Sequence, residues 1–181
     1  MMKLGLMTGL LAILPAASAM AEVQTIKHRV TGLFSRDREA DLREALKKMT
    51  DVSIVAIDFD VAEVSFSYDP EKLFQKGTKE KDRLERFDGL LRQASSHTFG
   101  AKPLCATPKE KLTRIEIGVT GPDCKGCCLA AYEYVAKIDG VEQATASFKD
   151  GIVTALIDPD RTNRAALEDA LKKRQVQLKK S

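Results

Sequence analysis

The chain has 181 residues, 30% of them charged, with the two signs nearly balanced and a formal net charge of +3 at neutral pH. So small an excess gives no reason to expect a nucleic-acid partner, and the basic runs Lys172-Lys173-Arg174 and Lys179-Lys180 read as a solvated helix face and tail. The length excludes a large multidomain enzyme and suits, after an N-terminal leader, one ordinary domain or two small ones of roughly 70 to 80 residues each.

In chain order, residues 1–21 carry an early Lys3, an apolar run from Leu4 to Leu14, Pro15, and small residues ending Ala19-Met20-Ala21. That is the pattern of a cleaved secretory signal, too short to span a bilayer, with Glu22 as the expected mature N-terminus. Every later apolar run is interrupted by charge, so the mature protein is expected to be exported, periplasmic or extracellular, and not membrane-embedded. No Cys stands at the cleavage site, which argues against a lipid anchor.

Beyond the leader the chain repeats itself. Residues 30–72 align without a gap on residues 119–161, an offset of 89. Val30-Thr31-Gly32 falls on Val119-Thr120-Gly121, Val52 on Val141, Phe59 on Phe148, Val64 on Val153, and Asp69-Pro70 on Asp158-Pro159. Two copies of one supersecondary unit follow, assigned to residues 22–106 and 111–181 with a linker near Cys105 to Lys111.

Each copy reads as strand, helix, strand, strand, helix, strand. In the first, Leu42, Ala45, Leu46 and Met49 mark one helix and Leu84, Phe87, Leu90 and Leu91 a second, with the polar run Lys76 to Lys81 as a solvated loop or helix extension. In the second, Ile115, Ile117 and Val119 alternate as a strand face, and Ala131, Tyr134, Val135 and Ile138 form a stripe at helical spacing that Gly140 stops. Ala144, Ala146 and Phe148 alternate again, Lys149-Asp150-Gly151 supplies a hairpin turn, and Val153, Ala155 and Ile157 return. Ala166, Leu167, Ala170 and Leu171 give the last helix, and Val176 with Leu178 a short last strand. The fold class is α+β: two tandem ferredoxin-like βαββαβ units, each an antiparallel sheet with two helices on one face.

Chemistry concentrates between the first strand and first helix of the second copy, at Thr120-Gly121-Pro122-Asp123-Cys124-Lys125-Gly126-Cys127-Cys128, which holds three of the four cysteines. Two cysteines three apart across a turn both reach one soft ion with Zn–S-type bonds of about 2.3 Å. A helix start lowers thiol pKa through its dipole, which keeps the thiolates available. Lys125, between the two cysteines, would offset part of the negative charge two thiolates place on an ion.

Gly121-Pro122-Asp123-Cys124-Lys125-Gly126-Cys127, followed by a helix, Gly140-Val141 and a hairpin, resembles the heavy-metal-associated (HMA) domain of copper chaperones, periplasmic mercuric-ion-binding proteins and the N-terminal modules of metal-pumping P-type ATPases. The resemblance implies one heavy-metal ion, Cu(I), Zn(II) or Hg(II), held by Cys124 and Cys127 and carried, with no enzymatic transformation. It implies as partner a membrane metal transporter or another metal-binding domain. Two positions depart from the family pattern: Pro122 stands where a Met is usual, and Asp123 resembles variants in zinc, cadmium and lead exporters. Asp123 is either a carboxylate ligand favouring Zn(II) or an N-cap for the helix. Cys128 is either a third sulfur ligand or a buried inert thiol.

The first copy has Ser35, Arg38 and Glu39 where the second has Cys124, Cys127 and Cys128, so its role is structural, docking or regulatory. Restoring thiols there with Ser35→Cys and Arg38→Cys is expected, if the loops are equivalent, to raise the stoichiometry from one ion to two. Cys105 reads as a lone thiol, with a disulfide to Cys128 or to another chain as the alternative, His28 as a packing residue and His97 as a surface histidine that the fold could bring near the vacant loop. The function expected is an exported heavy-metal carrier, scavenger or metallochaperone. The alternatives are a thiol-disulfide redox protein, since a CxxC at a helix start also presents an attacking thiol, and an interaction module with a structural disulfide.

Overall fold

The computed structural model describes residues 22–120, 125–147 and 149–179. The leader, Gly121, Pro122, Asp123, Cys124 and Phe148 lie outside the described residues, and so do the expectations that fall on them.

The first sheet is built from β1 (Gln24–Thr31), β2 (Val52–Asp58), β3 (Glu63–Tyr68) and β4 (Gly100–Lys102), in the order β2-β3-β1-β4 and antiparallel throughout. Its helices are α1 (Arg38–Leu46), the single turn α2 (Pro70–Leu73) and α3 (Glu80–Ala94). Pro70 sits in the first turn of α2, where its missing N–H costs nothing, and Asp69 caps it by accepting from the Glu71 N–H at 2.9 Å. The polar run between Leu73 and Glu80 is therefore a loop joining an added helical turn to α3.

The second sheet repeats this plan with β5 (Thr113–Thr120), β6 (Val141–Ser147), β7 (Ile152–Ile157) and β8 (Gln177–Leu178), in the order β6-β7-β5-β8, with α4 (Lys125–Ala136) and α5 (Arg164–Lys173). The 89-residue offset carries β1 onto β5, β2 onto β6 and β3 onto β7 end for end. Two ferredoxin-like units thus stand in tandem. Gly140 has φ +83° and no room for a Cβ, which would meet the Arg161 Cβ at 2.7 Å, so only glycine fits between α4 and β6.

Each unit has its own apolar core. Val30, Leu33, Leu42, Val64, Phe66, Phe87 and Leu91 fill the first, and Ile117, Val119, Ala131, Val135, Val153, Leu167 and Leu171 the second. One residue crosses over: Phe34 belongs by sequence to the first unit and by packing to the second core. Adjacent residues Leu33 and Phe34 thus anchor different cores.

That crossing is part of a continuous contact between the units. The Phe34 ring packs on Tyr132 of α4 at 5.6 Å between centroids, and the Tyr132 hydroxyl accepts from the Gly32 N–H at 2.7 Å. The Ala146 N–H of edge strand β6 donates to the Phe34 carbonyl at 3.0 Å. Gln143 uses both amide hydrogens across the gap, to the Leu33 carbonyl at 3.2 Å and the Phe59 carbonyl at 3.1 Å. A register shift between Val141 and Gln143 re-aims this part of β6, and neighbouring Glu142 forms a buried ion pair with Arg29 of β1. The first unit so covers an edge strand that would otherwise be a template for foreign pairing. The linker is pinned at both sides, Thr107 donating to Asp158 at 2.6 Å and Lys109 pairing with Asp58 at 3.2 Å.

The stripe expected on α4 needs correcting. Ala131 and Val135 are buried as expected, but Tyr134 is only half-buried, with the Arg174 guanidinium 4.6 Å over its ring. Tyr132 is the buried tyrosine, because what covers it is the other unit.

Candidate metal centre

Helix α4 begins at Lys125, so Cys127 lies in its first turn, among backbone N–H groups that have no intrahelical acceptor and at the positive end of a 12-residue helix dipole. Cys127 is half-exposed and disulfide-bonded, which makes the described form the oxidised one. A metal held by thiolates requires that disulfide to be cleaved first, by a reductant that delivers two electrons and leaves two thiols. The donor type and position fit a soft or borderline ion: sulfur, near the surface, at a helix start.

Cys128 is placed otherwise. It is free and only 2% exposed, its side chain joining the second core beside Tyr132 and Phe34. Burial pushes its thiol pKa up, which disfavours the thiolate a metal needs. Cys105 is also free, with its Sγ 3.2 Å from the Thr107 carbonyl oxygen. The two free thiols are therefore not bonded to each other. Asp123 and Cys124 lie outside the described residues, and among those described no three His, Cys, Asp or Glu side chains cluster as a metal site on their own.

The corresponding loop of the first unit is built for contact. Gly32, at φ +95°, lies so close to the α3–β4 turn that a Cβ would meet the Phe99 ring at 2.8 Å. Ser35 donates to Asp37, and Arg38 pairs with Asp41 while lying 5.2 Å from the Phe34 ring centroid and 5.0 Å from that of Phe99. Between this loop and the start of α4 runs a cleft of about 550 Å³, with Ser35, Arg38 and His97 on one wall and Gly126, Cys128 and Leu129 on the other. Leu129 is 39% exposed, the one large apolar side chain left open beside the cysteine loop among the described residues.

His28 occupies the position equivalent to Ile117 and is buried as expected for a packing residue, 4.9 Å from the Phe87 ring centroid and 6.1 Å from that of Phe66. Its Nε2 lies 3.4 Å from the Tyr68 hydroxyl, and burial lowers its pKa. It has no part in the candidate centre.

The interface residues Phe34, Tyr132, Glu142 and Gln143 were not singled out from the sequence, although one signal was available. At the 89-residue offset Phe34 stands opposite Asp123, a large apolar side chain in a loop where the repeat has a carboxylate. An apolar residue in such a place wants a partner outside its own unit.

No family profile matches the chain, and no curated protein does. Similar solved structures include the CopZ metallochaperone, at 22% identity and a TM-score of 0.36 over 37% of this chain and 100% of that one. Oxidized MerP from Ralstonia metallidurans CH34 is 18% identical with a TM-score of 0.36, over 38% of this chain and 94% of that one. The N-terminal soluble domains of Bacillus subtilis CopA are 19% identical with a TM-score of 0.36, over 88% of this chain and 95% of that one. At such identities and scores the likeness is one of fold, and the chemistry has to come from the chain's own residues.

Proposed function

We propose that this protein is an exported carrier or scavenger of a single heavy-metal ion, which the reduced loop of the second unit holds through Cys124 and Cys127. The observation that carries this reading is Cys127: a half-exposed sulfur in the first turn of α4, where the helix dipole favours thiolate and a partner's thiolates have access. Cu(I), Hg(II) and Zn(II) all suit sulfur, and Asp123 as a ligand would tilt the choice toward Zn(II). Few ligands at an exposed loop allow release by ligand exchange, in which an incoming thiolate of a transporter or second metal-binding domain bonds to the ion before a departing one leaves. Among the described residues no helix is long and apolar enough to cross a membrane.

The disulfide at Cys127 favours a second reading, a thiol-disulfide exchange protein. One preparation separates the two. Mature protein, reduced and desalted without oxygen, is titrated with Cu(I), Zn(II) and Hg(II) beside Cys127→Ser. One ion per chain, with uptake abolished by the substitution, is the result expected for the carrier. Absence of uptake of all three, with rapid catalysis of insulin reduction, would establish the exchange protein instead.

A further inference from the structure

We infer that the buried carboxylate of Asp69 is the seat of the mature N-terminus: once the leader is removed, the α-ammonium of Glu22 pairs with Asp69 and closes the first unit. This rests on cleavage ahead of Glu22 and is independent of the metal-carrier reading.

Asp69 carries an oxygen without a donor. It joins β3 to α2, with its side chain only 4% exposed. Its Oδ1 accepts from the Glu71 N–H at 2.9 Å, but its Oδ2 has no hydrogen-bond partner among the described residues. The Lys72 ammonium lies 3.8 Å from Oδ2, beyond hydrogen-bond distance, on a side chain that is 64% exposed. A buried carboxylate oxygen left in that state costs free energy that a donor would recover.

The second unit shows where the donor comes from. Asp158 stands at the same place in the repeat, and its Oδ1 likewise accepts from the N–H two residues on, that of Asp160, at 3.0 Å. Its Oδ2, however, accepts from the Thr107 hydroxyl at 2.6 Å. Thr107, the Asp160 N–H, Arg161 and Lys111 together hold this carboxyl below its ordinary range. Thr107 and Lys111 belong to the segment that leads into β5, so the fold completes this corner from the chain that precedes its first strand. At the 89-residue offset Thr107 answers to residue 18, in the leader, and Lys111 to Glu22. Cleavage therefore removes the counterpart of Thr107 and creates, at the counterpart of Lys111, an ammonium rich in donors.

Register brings that ammonium within reach. Gln24 is the partner of Tyr68, and continuing the register sets Val23 opposite Asp69 and Glu22 one residue beyond. Partner Cα atoms in an antiparallel pair lie about 5 Å apart, and two residues span at most about 7 Å. Glu22 and Val23 are exposed, so no packing holds the terminus elsewhere. Lys72 and Glu71 on α2, Arg83 of α3 at 3.5 Å from Glu71, and the Glu22 carboxylate share this end of the unit. Before cleavage the same nitrogen is a neutral amide, so the pairing couples the first unit's stability to processing.

The test uses the mature chain beginning at Glu22, the same chain N-acetylated, and Asp69→Asn in both forms, since asparagine keeps the cap on Glu71. The α-amino pKa, read by NMR, is expected about one unit above its ordinary value of about 7.7 to 8.0, and at that ordinary value in Asp69→Asn. A raised folded pKa contributes stability that is complete below about pH 8 and is lost as pH rises through the folded value. At pH 7, acetylation is expected to lower the first unit's Tm by about 5 °C, the scale of one pKa unit in a domain of this size, and to change nothing in Asp69→Asn. An ordinary α-amino pKa in the wild-type chain, or an equal loss on acetylation in both backgrounds, overturns the pairing and leaves metal uptake untouched. N-terminal sequencing of the exported chain is expected to start at Glu22, and any other start overturns the coupling to processing.

Discussion

The two strand-to-helix loops begin alike, Val30-Thr31-Gly32 and Val119-Thr120-Gly121, and then part company. In the second, the chain goes on to Cys127, half-exposed in the first turn of α4. In the first, it goes on to Phe34, whose ring enters the other unit's core and whose carbonyl takes the Ala146 N–H. Duplication supplied two copies of a loop whose geometry presents groups outward at a helix start. One copy presents sulfur to solvent and the other presents an apolar side chain to its sibling. The first loop carries no cysteine and serves as an anchor, and Phe34, Ser35 and Arg38 of that loop line the cleft opposite Gly126 and Cys128.

The largest effect should come from breaking that anchor. Phe34→Ala removes a ring that is only 9% exposed and should cost about 3 kcal/mol, the usual scale for deleting a buried aromatic. The loss should fall on the second unit although the residue belongs to the first, whereas Leu33→Ala, one position earlier, should weaken the first. Chemical denaturation followed by hydrogen exchange in each unit reads the difference. Loss of protection in the first unit alone for both variants would mean that Phe34 does not join the cores.

A smaller effect sharpens the comparison at the level of chemistry. Ser35→Cys with Arg38→Cys restores two thiols at the first loop, and equivalent loops would then bind two ions. The docked loop argues otherwise. Arg38 lies against the Phe34 and Phe99 rings with its side chain 19% exposed, so a cysteine there would face the packed interface, away from an incoming partner. The expected stoichiometry is therefore still one ion per chain by metal analysis after desalting, with a stability loss of about 1 to 2 kcal/mol from the missing guanidinium stacking. Two ions per chain would show that the loop undocks readily.

Strand and helix placement was legible in the sequence because period-two and period-3.6 burial is local, and the 89-residue offset carries three strands of one unit onto the other end for end. The interface was not. Tyr132, Glu142 and Gln143 were not singled out, since the partners that engage them across the interface belong to the other unit and a hydrophobic period records only the partners a unit supplies itself. The register shift in β6 compounds this by breaking the alternation at the point where Gln143 turns toward the first unit. Cys128 illustrates the intermediate case. Its side chain packs in the second core beside Tyr132 and Phe34, and the Phe34 part of that packing comes from the other unit.

The smallest expected effect separates the units by pH. At one strand position the first unit has His28 and the second Ile117, both buried. Burial among Phe66, Phe87 and Tyr68 disfavours the charged imidazole and lowers the His28 pKa below its ordinary value of 6.5. The unfolded chain then binds a proton at a pH where the folded one does not, so stability is at its full value above about pH 6.5 and declines as pH falls from there toward the folded pKa. The shift comes from desolvation, so salt should alter it little. Thermal unfolding of the full chain between pH 7.5 and 5 should show the first unit losing stability with acid. His28→Leu should flatten that part of the profile while leaving the second unit's unchanged. An acid-sensitive first unit in His28→Leu would mean that carboxylates, and not this buried ring, carry the dependence.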